Sequence, residues 1–172
     1  MNIRNLISTS MGQVVISTFF ASITGTSALL YLDKKYAIKP IFKYFMLGAY
    51  IFGISYFTVL DRSPGENILI RLTPFWSYSK FHIAQYRWQI YLNIFLFIPF
   101  GFLLPFCIKS SFFTTLCIGL LFSTALEATQ YYFSLGLCEF DDVFHNTIGT
   151  GLGYGYWKLL NKLYIGLRKK VD

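Results

Sequence analysis

Apolar residues in this chain fall in long blocks, with no period-two alternation to suggest strands. Five such stretches stand out, at about 12–32, 40–60, 89–107, 112–133 and 142–165. Crossing roughly 30 Å of hydrocarbon takes about 20 predominantly apolar residues in a helix, and the first four stretches meet that length. The fifth carries Asp142, His145 and Asn146 at one end and Lys158 and Lys162 at the other. Its apolar centre is about 11 residues, extended by lysine stems that reach outward to water. The pattern predicts an all-α polytopic bundle of about five spanning helices, forming one membrane domain over residues 1–172. The run from Gln13 to Leu32 is too long for a cleaved signal core, and no small-x-small site follows it. Pro99 and Pro105, with Gly101 between them, are expected to bend the third helix.

Between the second and third stretches, the segment 61–88 is not ordinary loop material. Pro74-Phe75-Trp76, Tyr78, Phe81, Tyr86 and Trp88 interleave with Lys80, His82 and Arg87. Aromatic and cationic side chains in that mixture suit the headgroup region, as a short amphipathic helix or a re-entrant turn.

Composition strengthens the membrane reading. Charged residues are 13% and aromatics 20%, where soluble domains average about 25% charged. So few charges cannot cover a water-facing surface. The net charge of +7 does not point to nucleic acid, because the cations sit at the ends of apolar runs instead of along a polar face. They also bias the topology. With the C-terminus inside, Lys34, Lys35, Lys39, Lys43, Lys109, Lys158, Lys162, Arg168, Lys169 and Lys170 are cytoplasmic. Arg4, Arg62, Arg71, Lys80 and Arg87 are then outside, and ten cations against five favour a cytoplasmic C-terminus. Cys107, Cys117 and Cys138 lack CxxC spacing and read as small apolar residues.

Polar residues inside the spans carry the functional signal. The third, fourth and fifth helices alternate in direction, so the start of the third, the end of the fourth and the start of the fifth share one side. Asn93 lies near the first of these places. Ser123, Glu127 and Gln130 form a stripe on the fourth helix, and Asp142, His145, Asn146 and Gly149 form another on the fifth. Glu127 sits about six residues inside its span, roughly 9 Å deep. An intramembrane carboxylate costs at least about 2.5–3.5 kcal/mol unless it is paired, hydrated or neutralised. Arg71 is the favoured partner, with Arg87 and Arg62 as alternatives. The cluster reads either as a knot that fixes the bundle or as a ligand pocket. Glu127 and His145 are the candidates for acid–base chemistry, although no nucleophile–base pair accompanies them. With no HExxH and His82 the only other histidine, the residues imply no metal and no cofactor. Gly149 with Gly153, and Gly151 with Gly155, make overlapping small-xxx-small patterns that suit a closely packed helix, in this chain or in a partner.

Four ordered motifs carry a family resemblance: Arg71-Leu-Thr-Pro-Phe75, Asn93-Ile-Phe-Leu-Phe-Ile-Pro-Phe-Gly101, Ser123-Thr-Ala-Leu-Glu127-Ala-Thr-Gln130, and Phe140-Asp-Asp-Val-Phe-His-Asn-Thr-Ile-Gly149 followed by Gly153-Tyr154. Over about residues 62–156 the chain resembles the VanZ-like family of bacterial membrane proteins. Many members have an arginine shortly before the Asp-Asp motif; here Gly136-Leu-Cys-Glu139 stands there, and Glu139 adds negative charge. The resemblance implies a bacterial plasma-membrane protein, in a family whose name-giving members lower susceptibility to teicoplanin-type glycopeptides. It carries no settled catalytic activity. By motif, it singles out Arg71, Asn93, Glu127, Gln130, Asp142 and Asn146 as ligand-binding candidates. The expected ligand is a membrane lipid, such as a lipid-linked cell-wall precursor or a headgroup phosphate held by the arginine. An intramembrane enzyme acting on a lipid headgroup, and an accessory subunit of an envelope assembly or transporter, are the alternatives.

Overall fold

The computed structural model describes residues 3–60 and 70–168, so Arg62, Lys169 and Lys170 lie outside the described residues. Within them the chain is all-α, apart from one two-residue strand pair. Helix α1 runs Ile3–Tyr36 and α2 Pro40–Ser55, with a π-helical turn at Tyr56–Leu60. Strand β1 is Ile70–Arg71, α3 is a single turn at Trp76–Ser79, and α4 is Ala84–Ile108. Helix α5 is Phe112–Tyr132, strand β2 Cys138–Glu139, and α6 Phe140–Arg168.

Among the described residues, three stretches are long and apolar enough to cross a membrane: Pro40–Val59, Ala84–Ile108 and Phe112–Tyr132. Both α1 and α6 also have the length, at 34 and 29 residues. They are diluted by hydroxyl-bearing and charged side chains respectively. In α1 the hydroxyls of Ser22, Thr24 and Thr26 each donate to a carbonyl one turn back, which hides them from an apolar surrounding.

The helix boundaries follow local chemistry. Pro40 opens α2 at its first turn, where its missing N–H costs nothing. Lys109 closes α4 in the left-handed conformation, at φ 53°. Ser111 then caps α5 by accepting from the Thr114 N–H at 3.2 Å. At the far end of α5, Ser134 takes φ 57°, and the Leu135 N–H reaches back to the Gln130 carbonyl at 2.8 Å. That Schellman-type stop turns the chain back towards α6.

Helix α4 is the hub. Some 61% of its most apolar window is buried, against 11% for Pro40–Val59. Its partners are set by glycine. A Cβ on Gly149 would strike the Ile94 carbonyl, and one on Gly153 the Ile98 carbonyl. Both helices advance four residues between these contacts, so α4 and α6 run parallel. Gly119 of α5 meets Thr150, while Ser123 bonds Asn146. Here one index rises as the other falls, so α5 is antiparallel to α6. The starts of α4 and α6 and the end of α5 therefore lie on one side. At the opposite end, Lys43 pairs with Asp33 at 2.7 Å and lies 4.6 Å from the centroid of the Phe106 ring.

One expectation is corrected over the described residues: between Ile70 and α4 the segment forms β1 and the single turn α3, not an amphipathic helix, and from Ala84 it already belongs to α4. Its anchor is sheet pairing, with Ile70 opposite Cys138 and Arg71 opposite Glu139 in parallel register.

Candidate functional site

The strand pair lays residues 70–79 as a strap across the start of α6, and one carboxylate holds the strap down. Asp141 is fully buried. It accepts from the Phe75 N–H at 2.6 Å, the Ser77 N–H at 2.9 Å and the Ser77 hydroxyl at 2.5 Å. The same side chain lies in the first turn of α6, where the helix dipole favours an anion. Phe75 adopts φ 61°, a conformation costly for a bulky residue. Its N–H bond to Asp141 and its edge contact with the Phe144 ring, 5.2 Å between centroids, oppose that strain. One turn on, His145 is also fully buried. Its Nε2 shares a hydrogen bond with the Tyr78 hydroxyl at 3.0 Å, and its Nδ1 has no partner among the described residues. Burial first, and the Asp141 charge second, push the Tyr78 phenol above its ordinary value.

A second group surrounds the turn between α5 and α6. Glu127 is only 4% exposed, and its Oε2 accepts the Glu139 N–H at 3.0 Å. The Cys138 thiol is pushed up by burial and then by the charges of Glu127, Asp142 and Glu139 in turn. Arg71 does not take the role expected of it. Its ion pair is with Glu139, at 3.5 Å, and its guanidinium lies 3.9 Å from the centroid of the Trp76 ring. Glu139, just ahead of the Asp141-Asp142 pair, is therefore the residue that meets Arg71. A third of the Arg71 side chain stays exposed.

A third group ties the helices together below the strap. Asn146 donates to the Ser123 hydroxyl at 2.8 Å, and both are buried. Its Oδ1 lacks a partner among the described residues. Gln130 donates to the Thr58 carbonyl at 3.1 Å. That carbonyl belongs to the π-helical turn. Asn93 is half-buried on α4.

The structure thus brings Ser123 to Asn146, and Glu127 to the turn that also meets Asp142 and Arg71. Glu127 and His145, proposed together for acid–base work, are held by different partners. Among the described residues, no three His, Cys, Asp or Glu side chains are arranged to hold a metal ion. Sequence reasoning missed Asp141, Ser77, Tyr78, Thr58 and Thr150. Asp142 was chosen from the acidic pair, yet Asp141 is the buried one and Asp142 is half-exposed. The four-residue step from Asp141 to His145, and on to Gly149 and Gly153, was the available signal. The buried face of α6 follows that row.

The profile of the VanZ/LLP1 family matches residues 41–161, which takes in α2, the strap and nearly all of α4–α6. The chain belongs to the VanZ-like family. It is also similar to Protein VanZ of Enterococcus faecium, with 33% identity over 94 residues. That alignment covers 54% of this chain and 55% of the relative, so the two match over about half the length of each. No solved structure matches. The family match and the three apolar helices make this VanZ-like chain a membrane protein. The family region also begins well before the first motif of the sequence, at the start of α2.

Proposed function

We propose that this VanZ-like protein binds a lipid-linked phosphate at the strap, and that this binding lowers susceptibility to teicoplanin-type glycopeptides. The observation that carries the reading is the state of Arg71. Its guanidinium lies over the Trp76 ring, its side chain is a third exposed, and its contact to Glu139 is at the outer limit of a hydrogen bond. Such an exposed, long pair contributes little stability, so a phosphate competes for the guanidinium on favourable terms. Exposed Leu72, Phe75 and Tyr78 beside it suit an interfacial position. In this reading the chain crosses the plasma membrane five times with its C-terminus in the cytoplasm, which puts the strap outside.

The test is binding of undecaprenyl phosphate to purified protein in nanodiscs, alongside Arg71→Ala and Arg71→Lys. We expect at least a tenfold loss for Arg71→Ala and a smaller one for Arg71→Lys, with teicoplanin susceptibility of expressing cells changing in the same order. Equal binding by all three proteins, or none by any, contradicts the proposal.

A further inference from the structure

We infer that a cleft between α1, α2 and α4 holds one hydrocarbon chain of a membrane lipid. The cleft has a volume of about 600 Å³, inside the roughly 300–1,000 Å³ of small-molecule sites. Its walls run from Val14 to Leu29 on α1, from Ala49 to Phe57 on α2 and from Leu92 to Leu103 on α4.

Three observations identify the occupant. First, three of the four hydroxyls on the wall, those of Ser22, Thr26 and Tyr50, are already used, which leaves that of Thr18. Ser22 and Thr26 donate to their own helix at 2.7 and 2.6 Å, and the Tyr50 hydroxyl donates to the Leu96 carbonyl at 2.7 Å. A cleft with one hydroxyl to offer, where a buried water needs two to four polar partners, suits neither water nor a polar headgroup. Second, Gly25 and Gly53 line the cleft, and a Cβ on either would meet nothing within 4 Å. These glycines serve no helix contact; what they provide is width. Third, the cleft is continuous with the lipid-facing surface of the membrane span Pro40–Val59, where Phe52 and Phe57 are exposed. What lies at that depth outside the protein is acyl chain.

From Val14 to Leu29 the cleft runs along about 22 Å of α1, within the roughly 30 Å depth of the hydrocarbon, so acyl chain is the material that lies against it. This inference does not rest on the Arg71 reading, since the cleft and the strap are built from different residues.

The experiment is photolabelling of the full-length protein in nanodiscs with a phosphatidylglycerol bearing a diazirine in one acyl chain, followed by peptide mapping. Wild-type protein is expected to be labelled at residues 14–29 and 49–57. Filling the cleft with Gly25→Leu and Gly53→Leu together should reduce labelling there at least fivefold. Leucine is the better helix former and has open space at both sites, so the fold is retained; the circular dichroism spectrum checks this. Gly48→Leu is the control, because Gly48 also faces open space but lies outside the cleft, and it should label like wild type. Equal labelling of the filled and wild-type proteins overturns the inference. So does a second copy crosslinked across the cleft.

Discussion

The two sides of α4 use glycine in opposite ways. Towards α6, glycine is a contact residue: Gly149 and Gly153 press on the carbonyls of Ile94 and Ile98, and Gly101 presses on that of Thr150. Towards α1 and α2, a Cβ added at Gly25 or Gly53 would meet nothing within 4 Å. Both uses carry the same cost, since glycine weakens a helix interior by roughly 0.5–1 kcal/mol relative to alanine. On one side the return is close backbone approach, which drives helix association where lipid removes the hydrophobic gain. On the other side no packing is gained, and the return is space. The difference teaches that a glycine-rich membrane sequence does not by itself mark a tight interface.

Mutations sharpen that contrast. The largest effect is expected at Gly153→Leu. Its neighbours are backbone atoms of α4 that cannot rotate away, so overpacking should cost about 3 kcal/mol or more. Thermal unfolding in detergent, followed by fluorescence-detected size exclusion, should show a large loss of folded protein. Gly53→Ala on the other side should be neutral or stabilising by up to about 1 kcal/mol. If both variants behave alike, the two sides do not differ as described.

Asp141→Ala comes next. It leaves the N–H groups of Phe75 and Ser77 without their acceptor, and bonds to a charged group are worth about 1.5–3 kcal/mol each. The strap should loosen while the bundle survives, and amide exchange should rise across residues 70–83 but not in α4.

Ser123→Ala is a smaller change. It takes the partner from the Asn146 amide, at a cost of about 1 kcal/mol. Replacing Asn146 by Leu in the same background should recover part of it.

How much of this was legible in the sequence differs between the bundle and the strap. Helices α4 and α5 were located to within a few residues, because a membrane span needs a fixed apolar length. The alternation of α4, α5 and α6 followed from that count, and with it the common side of Ser123, Glu127 and Asn146. The strap was not legible. Its fold depends on a two-residue pairing between Arg71 and Glu139, 68 positions apart, and on a left-handed phenylalanine that no propensity favours. The residue that holds the strap is Asp141, one position before Asp142 and about 100° away round a helix of 3.6 residues per turn. The Asp141 row was present in the spacing, but an adjacent acidic pair conceals which member faces inward. Arg71 was assigned to Glu127 by shared side alone, and the sheet register gave it to Glu139 instead.

The weakest stability effect is expected at Arg71, and it bears most on function. Its pair is long and partly exposed, so Arg71→Ala should change stability by less than about 1 kcal/mol. The decisive measurement is therefore undecaprenyl phosphate affinity of folded Arg71→Ala in nanodiscs, made on protein whose melting matches wild type. Our account predicts at least a tenfold weaker affinity with an unchanged melt. Unchanged affinity in that well-folded variant would contradict it.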